Sequence, residues 1–165
     1  TTKVPLGKAY FVNGEGDVAE QIAYLNEEIT KAPVDLGLIG IGENAHIAFN
    51  DPPADFDTDA PYLVVDLDDA CKQQQVREGW FPTVDDVPKQ AITMSVKQIL
   101  KCDAIISCVP HQVKAEAIHR SLTQKVSNQV PATILKTHCN WSLYLDPASS
   151  SQIDPSKVTL QERSS

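Results

Sequence analysis

The chain has 165 residues, 42% of them apolar and 22% charged, and a net charge of −8. These values suit one globular domain with its own core, and the acidic balance argues against non-specific binding to nucleic acid or to a membrane surface. No apolar run approaches the roughly 18 residues of a membrane span, and no leader pattern opens the sequence, so a reducing, cytoplasmic setting is expected.

Residues 17–32 (DVAEQIAYLNEEITKA) place Val18, Ile22, Leu25 and Ile29 on one helical face. Asp17 is the expected N-cap with Glu20 as capping-box partner, and Pro33 closes the segment. Residues 34–41 (VDLGLIGI) form a short apolar run between Pro33 and Gly42 and predict a buried strand. Residues 51–61 are a Pro- and Asp-rich loop. Residues 62–67 predict a strand and residues 69–78 a polar helix, with a further connection at 82–89. Residues 91–100 begin strand-like and turn amphipathic, and residues 103–109 (DAIISCV) predict a second strongly apolar strand. Pro110 breaks that strand, and residues 111–123 predict a helix. Residues 132–135 (ATIL) and 141–145 (WSLYL) read as two more strands, and from Pro147 the Ser-rich chain reads as a loosely held tail. This order of elements predicts an α/β fold: a doubly wound, mostly parallel sheet flanked by helices.

Cys71, Cys102, Cys108 and Cys139 form no CxxC pair and show no metal-ligand rhythm, so several of them read as small buried hydrophobes. The chemistry concentrates at residues 38–53 (LIGIGENAHIAFNDPP). Gly40 and Gly42 end the first strand, where glycines permit a tight turn and close backbone approach to a ligand. Asn44, His46, Asn50 and Asp51 follow at once. His46 is the candidate proton shuttle, because its ordinary pKa lies near neutrality. Asp51 could orient the imidazole; the alternative is a histidine capping a helix and an aspartate opening a turn before Pro52.

The stretch GIGENAHIAFNDPP resembles the signature of the glucosamine-6-phosphate deaminase family, Gly-Ile-Gly-x-Asp-Gly-His-Ile-Ala-Phe-Asn-Glu-Pro. Gly40, Ile41, Gly42, His46, Ile47, Ala48, Phe49, Asn50 and Pro52 fall on the same letters, without a gap. A looser likeness runs through VPKQAIT at 87–93 to about residue 145. The resemblance implies a Rossmann-like fold and a reaction. A 2-amino-2-deoxyhexose 6-phosphate is ring-opened, a proton moves from C2 to C1, and the C2 imine loses ammonia to give a ketose phosphate. On that reading His46 protonates the ring oxygen, Asp51 is its acidic neighbour, and Gly40 and Gly42 receive the substrate. Three positions depart from the signature: Asn44 stands where it has Asp, Ala45 where it has Gly, and Asp51 where it has Glu. If Asn44 is an impaired carboxylate position, Asn44→Asp is expected to raise the ring-opening rate.

Lys114 falls in the first turn of the predicted helix after the second strand, where unpaired N–H groups favour an anion. The resemblance implies a phosphate-binding lysine here and an arginine before an aromatic pair, which Arg77 ahead of Trp80-Phe81 supplies across a gap; Lys72 is the competing cation. His111 is read first as a cap and second as an anion contact. The family's phosphate loop and the Asp that abstracts the C2 proton have no counterpart, so residues 1–150 are expected to form a single domain corresponding to the last two thirds of the family's, with 151–165 a polar tail.

The expected function is conversion of glucosamine 6-phosphate to fructose 6-phosphate and ammonia, within amino-sugar metabolism, with the enzyme classed as a hydrolase. Two alternatives stand beside it. One is a 6-phosphogluconolactonase-like hydrolase, whose motif continues Thr-Ala-Ser-Leu-Phe-Pro after the histidine. The other is a paralogue that binds sugar phosphate without turnover. No cofactor or metal is expected. The expected partners are the amino-sugar phosphate and further copies of the chain in a homo-oligomer.

Overall fold

A computed structural model describes residues 7–157. Its frame is a three-stranded parallel sheet of β1 (Leu36–Leu38), β4 (Ala104–Val109) and β5 (Trp141–Leu145), with β4 in the centre. A second, antiparallel pair joins β2 (Tyr62–Asp66) to β3 (Gln90–Met94), Tyr62 opposite Met94 and Asp66 opposite Gln90. The helices are α1 (Val18–Ile29), α2 (Asp69–Arg77), the short α3 (Val96–Ile99) and α4 (Ala115–Thr123). This is the expected α/β arrangement, a parallel sheet flanked by helices.

Local chemistry sets the helix starts. Asp17 accepts from Glu20 N, Asp68 from Cys71 N and Ser95 from Gln98 N, each filling one orphan donor of its helix. Alternating burial along β4 buries Ile105 and Val109, which pack with Ile118, Val130 and Leu135 in the main core. Asn26 ties α1 to β2, donating Nδ2–H to Tyr62 O and accepting Tyr62 N–H at 2.6 Å.

Three expectations are corrected. The first strand is confined to Leu36–Leu38, with Ile39 N adding one more bond to Ile106 O. The predicted strand at 132–135 is instead part of a 3₁₀ helix, Pro131–Thr137. Pro131 starts it, and Ala132, Thr133 and Leu135 bury themselves in the core at helical rather than alternate spacing. The chain after Pro147 is anchored. Ser149 is fully buried and bonds Asp146, Ile153 packs on the core, and Gln152 O meets His119 Nδ1 at 2.9 Å. Residues 158–165 of the expected tail lie outside the described residues.

The carboxyl ends of β1 and β4 lie side by side. Gly40–Gly42 leaves one and Val109–Pro110 the other, and the crevice between them is where open α/β sheets bind ligands.

Candidate active site

The loop after β1 is held by its own backbone. Gly42 N–H donates to His46 O at 2.9 Å, Ala45 N–H to Gly42 O at 3.0 Å, and Ala132 N–H to Ala45 O at 2.9 Å. Asn50 pins the far end, donating Nδ2–H to Ile47 O and Met94 O, both at 2.9 Å. Ala45 takes φ 69°, a left-handed conformation that glycine adopts more cheaply. Gly42 is required by the protein itself: a Cβ there would lie 2.3 Å from Nε2 of the His46 ring. A Cβ on Gly40 would meet nothing within 4 Å, so that glycine opens onto free space.

His46 is 7% exposed, and its Nδ1 lies 2.9 Å from Asp51 Oδ1. The ring N–H is out of line with that oxygen, so the contact is electrostatic and leaves Nδ1 buried without an aligned partner. Contacts of this kind in active sites often align only when substrate is bound. Burial alone would push the Asp51 carboxyl up, but His46, the Asn44 amide and Asp68 N–H outweigh it and hold the pKa below its ordinary value.

Asn44 does not touch the imidazole. Its Nδ2 donates to Asp51 Oδ1 at 3.1 Å and to Asp68 Oδ2 at 3.2 Å, while its Oδ1 accepts His46 N–H at 3.1 Å. An amide at position 44 therefore bridges two carboxylates, a task a third carboxylate could not perform at neutral pH. This corrects the reading of Asn44 as an impaired carboxylate. Asp68, passed over in the sequence, completes the network by donating N–H to Asp51 Oδ2 at 3.3 Å and capping α2. Its signal was a Leu-Asp-Asp step opening a polar helix.

The crevice itself has a volume of about 330 Å³ and is lined by Gly40, Gly42, His46, Cys108, His111 and Lys114, among others. A second hollow of about 360 Å³ lies on the other side of Asp51, against Asp68 and Pro52. The first is the candidate substrate site, because it joins the glycine turn, the imidazole and a cation.

Lys114 ends a 3₁₀ turn, Gln112–Lys114, and directly precedes α4 rather than lying in its first turn. Burial, chiefly, and the neighbouring Arg77 push its ammonium pKa down, against the opposing pull of Glu78 and Glu43. Lys114 and Arg77 are thus close enough to repel. Arg77 pairs with the Glu43 carboxylate, and Glu43 N–H donates to Gln74 Oε1 at 3.1 Å. Glu43 was not singled out in the sequence. Lys72, the competing cation, pairs with Asp69 at 3.4 Å. His111 makes no side-chain cap. It sits at φ 80° at the crevice mouth, held by Asp146, whose Oδ2 accepts His111 N–H at 3.1 Å.

The cysteines divide. Cys71 and Cys102 are buried as expected, whereas Cys108 and Cys139 are exposed. Burial and the Asp51 and Asp68 charges push the Cys71 thiol up to about 12.

No family model matches the chain. Curated relatives do. A glucosamine-6-phosphate deaminase of Streptococcus pyogenes serotype M1 is 35% identical over 151 residues, covering 91% of this chain and 63% of its own. One of Staphylococcus epidermidis is 41% identical over 128 residues, covering 78% of this chain and 51% of its own. The chain therefore spans between half and two thirds of the length of these relatives. Among solved structures, a monomeric glucosamine-6-phosphate deaminase superposes with a TM-score of 0.79 at 30% identity, over 86% of this chain and 58% of its own. The 6-phosphogluconolactonase of Thermotoga maritima superposes with a TM-score of 0.61 at 16% identity, over 87% of this chain and 57% of its own, a likeness of fold alone. The hydrolase class expected from the sequence is overturned by these findings, because the relatives that share sequence are named as deaminases. In sequence and fold together the chain is similar to the glucosamine-6-phosphate deaminases over about half to two thirds of their length.

Proposed function

We propose that the protein acts as an amino-sugar phosphate isomerase and deaminase, taking glucosamine 6-phosphate to fructose 6-phosphate and ammonia, and that this chain carries the ring-opening part of the site. The observation that carries the reading is the His46–Asp51 contact of 2.9 Å beside a crevice that also holds Lys114. His46 carries a proton to and from the ring oxygen from its Nε2 edge over Gly42. Asp51 favours the imidazolium by charge, and Asn44 positions Asp51. Gly40 gives the sugar room, and Lys114 and Arg77 receive the phosphate, which competes with Glu43 for the guanidinium. Charge-assisted and bidentate bonds suit that exchange. A carboxylate positioned to take the C2 proton is not among the residues lining the crevice.

The non-catalytic reading rested on Asn44, which the bridging role now accounts for. Cytoplasmic location and homo-oligomerisation remain part of the proposal, checked by fractionation and by light scattering. Ammonia release from glucosamine 6-phosphate by a protein containing this chain tests the function. Loss of release in His46→Gln is expected; ammonia production unaffected by His46→Gln would reject it.

A further inference from the structure

His46, Asp51 and Cys71 come together from three places in the chain. One ligand atom of each lies within 4.8 Å of the other two. Cys71 is 1% exposed and His46 is 7% exposed, and Asp51 keeps only 7% of its side chain accessible. His46 Nδ1 is buried without an aligned hydrogen-bond partner and faces the Asp51 carboxylate. An imidazole nitrogen held by a carboxylate's charge but by no aligned hydrogen bond is free to turn its lone pair to a metal. The cysteine spacing in the sequence gave no hint of it, because the three residues meet only through the fold.

We propose that His46 Nδ1, Asp51 Oδ1 and Cys71 Sγ form a Zn²⁺ site. Sulfur, imidazole and carboxylate are the donor set that Zn²⁺ accepts in a tetrahedron, at about 2.3 Å to sulfur and about 2.0–2.2 Å to nitrogen and oxygen. Those lengths call for roughly 3.3–3.6 Å between ligands, within reach of rotamer adjustments from the observed spacing. Binding displaces the thiol proton to solvent and forms three metal–ligand bonds, leaving a fourth position for water. Asn44 and Asp68 already fix the Asp51 carboxylate through hydrogen bonds, the supporting contact a metal-binding carboxylate uses.

The site is inhibitory rather than catalytic. Ring opening as proposed above needs a free imidazole at His46, and a metal on Nδ1 would fix the ring and remove Asp51 as its partner. This consequence rests on the proposed function; the metal site itself does not, and binding measurements separate the two.

The test titrates Zn²⁺ into the chain against a chromophoric chelator, in a Cys108→Ala/Cys139→Ala background that removes the exposed thiols. One equivalent is expected to bind, with Cys71→Ser weakening it at least 100-fold. Co²⁺ in the same background is expected to give a thiolate-to-cobalt charge-transfer band. Equal affinity in a folded Cys71→Ser variant overturns the site, as does binding that disappears with the exposed thiols alone. If Cys71→Ser fails to fold, the cobalt spectrum decides: the band supports the site and its absence overturns it.

Discussion

Replacing Asn44 with aspartate sets three carboxyl groups where the native network has two carboxylates and one amide. The amide's bonds to Asp51 and Asp68 are 3.1 and 3.2 Å long. A carboxylate pair at that separation repels by about 5 kcal/mol at an effective dielectric of about 20. The variant escapes by keeping one carboxyl protonated, which at pH 7 costs about 4 kcal/mol, three pH units at about 1.4 each. The O–H so retained replaces one of the two lost bonds, and the other forfeits about 1 kcal/mol more. Partial solvent access at residue 44 trims the sum to about 3–4 kcal/mol at pH 7. The added group has its folded-state pKa raised above the unfolded value. Its contribution to stability is therefore intact below about pH 4 and is lost as pH rises through the folded-state value. Urea unfolding of variant and parent should show a gap of about 3–4 kcal/mol at pH 7 that narrows to about 1–2 at pH 5. Equal stability at pH 7, or a gap that does not narrow, would refute the bridging role. From the sequence alone, Asn44→Asp was expected to raise the ring-opening rate if Asn44 is an impaired carboxylate position, with no bearing on stability.

Further outcomes follow from the same geometry. Gly42→Ala drives a methyl into the His46 ring and should cost about 1–3 kcal/mol in urea unfolding, with a shifted His46 imidazole signal by NMR. Gly40→Ala meets no protein atom, so stability should change by less than about 0.5 kcal/mol while calorimetry shows weaker glucosamine 6-phosphate binding. Lys114→Gln and Arg77→Gln should each weaken that binding about tenfold, and Arg77→Gln also leaves the largely buried Glu43 carboxylate without its partner. Asp146 has its pKa lowered to about 2, first by Ser149 N–H and then by His111 N–H. Its contribution is present above the unfolded-state value near 4 and lost as pH falls toward 2. The protection of the His111 amide against exchange, measured relative to its intrinsic rate at each pH, should therefore fall on acidification before the core opens.

Much of the frame was legible because its signals are local. Asp17 before a helical apolar face, the unbroken apolar run of β4 and the WSLYL strand each declare their structure within a few residues. The 132–135 run did not, since three apolar residues and a threonine carry neither a strand's nor a helix's period, and packing against α4 decides for the 3₁₀ form. His46, Asp51, Gly40 and Gly42 stood out because the motif is contiguous. Asp68, Glu43 and Cys71 did not, because their importance comes from contacts made across folded distance: Asp68 to Asn44 spans 24 positions and Glu43 to Arg77 spans 34. Gly42 was read as room for a ligand; it lines the crevice and also leaves room for the His46 imidazole.

The proposed role of His46 is to open the ring of a sugar phosphate in this crevice. Exchange between the α and β anomers of glucosamine 6-phosphate proceeds through the open chain and is measurable by NMR magnetisation transfer without any later step. The chain is expected to accelerate this exchange, and His46→Gln to abolish the acceleration while glucosamine 6-phosphate still binds. Anomer exchange at the uncatalysed rate in the presence of the substrate-bound chain, or acceleration that survives His46→Gln, would contradict it.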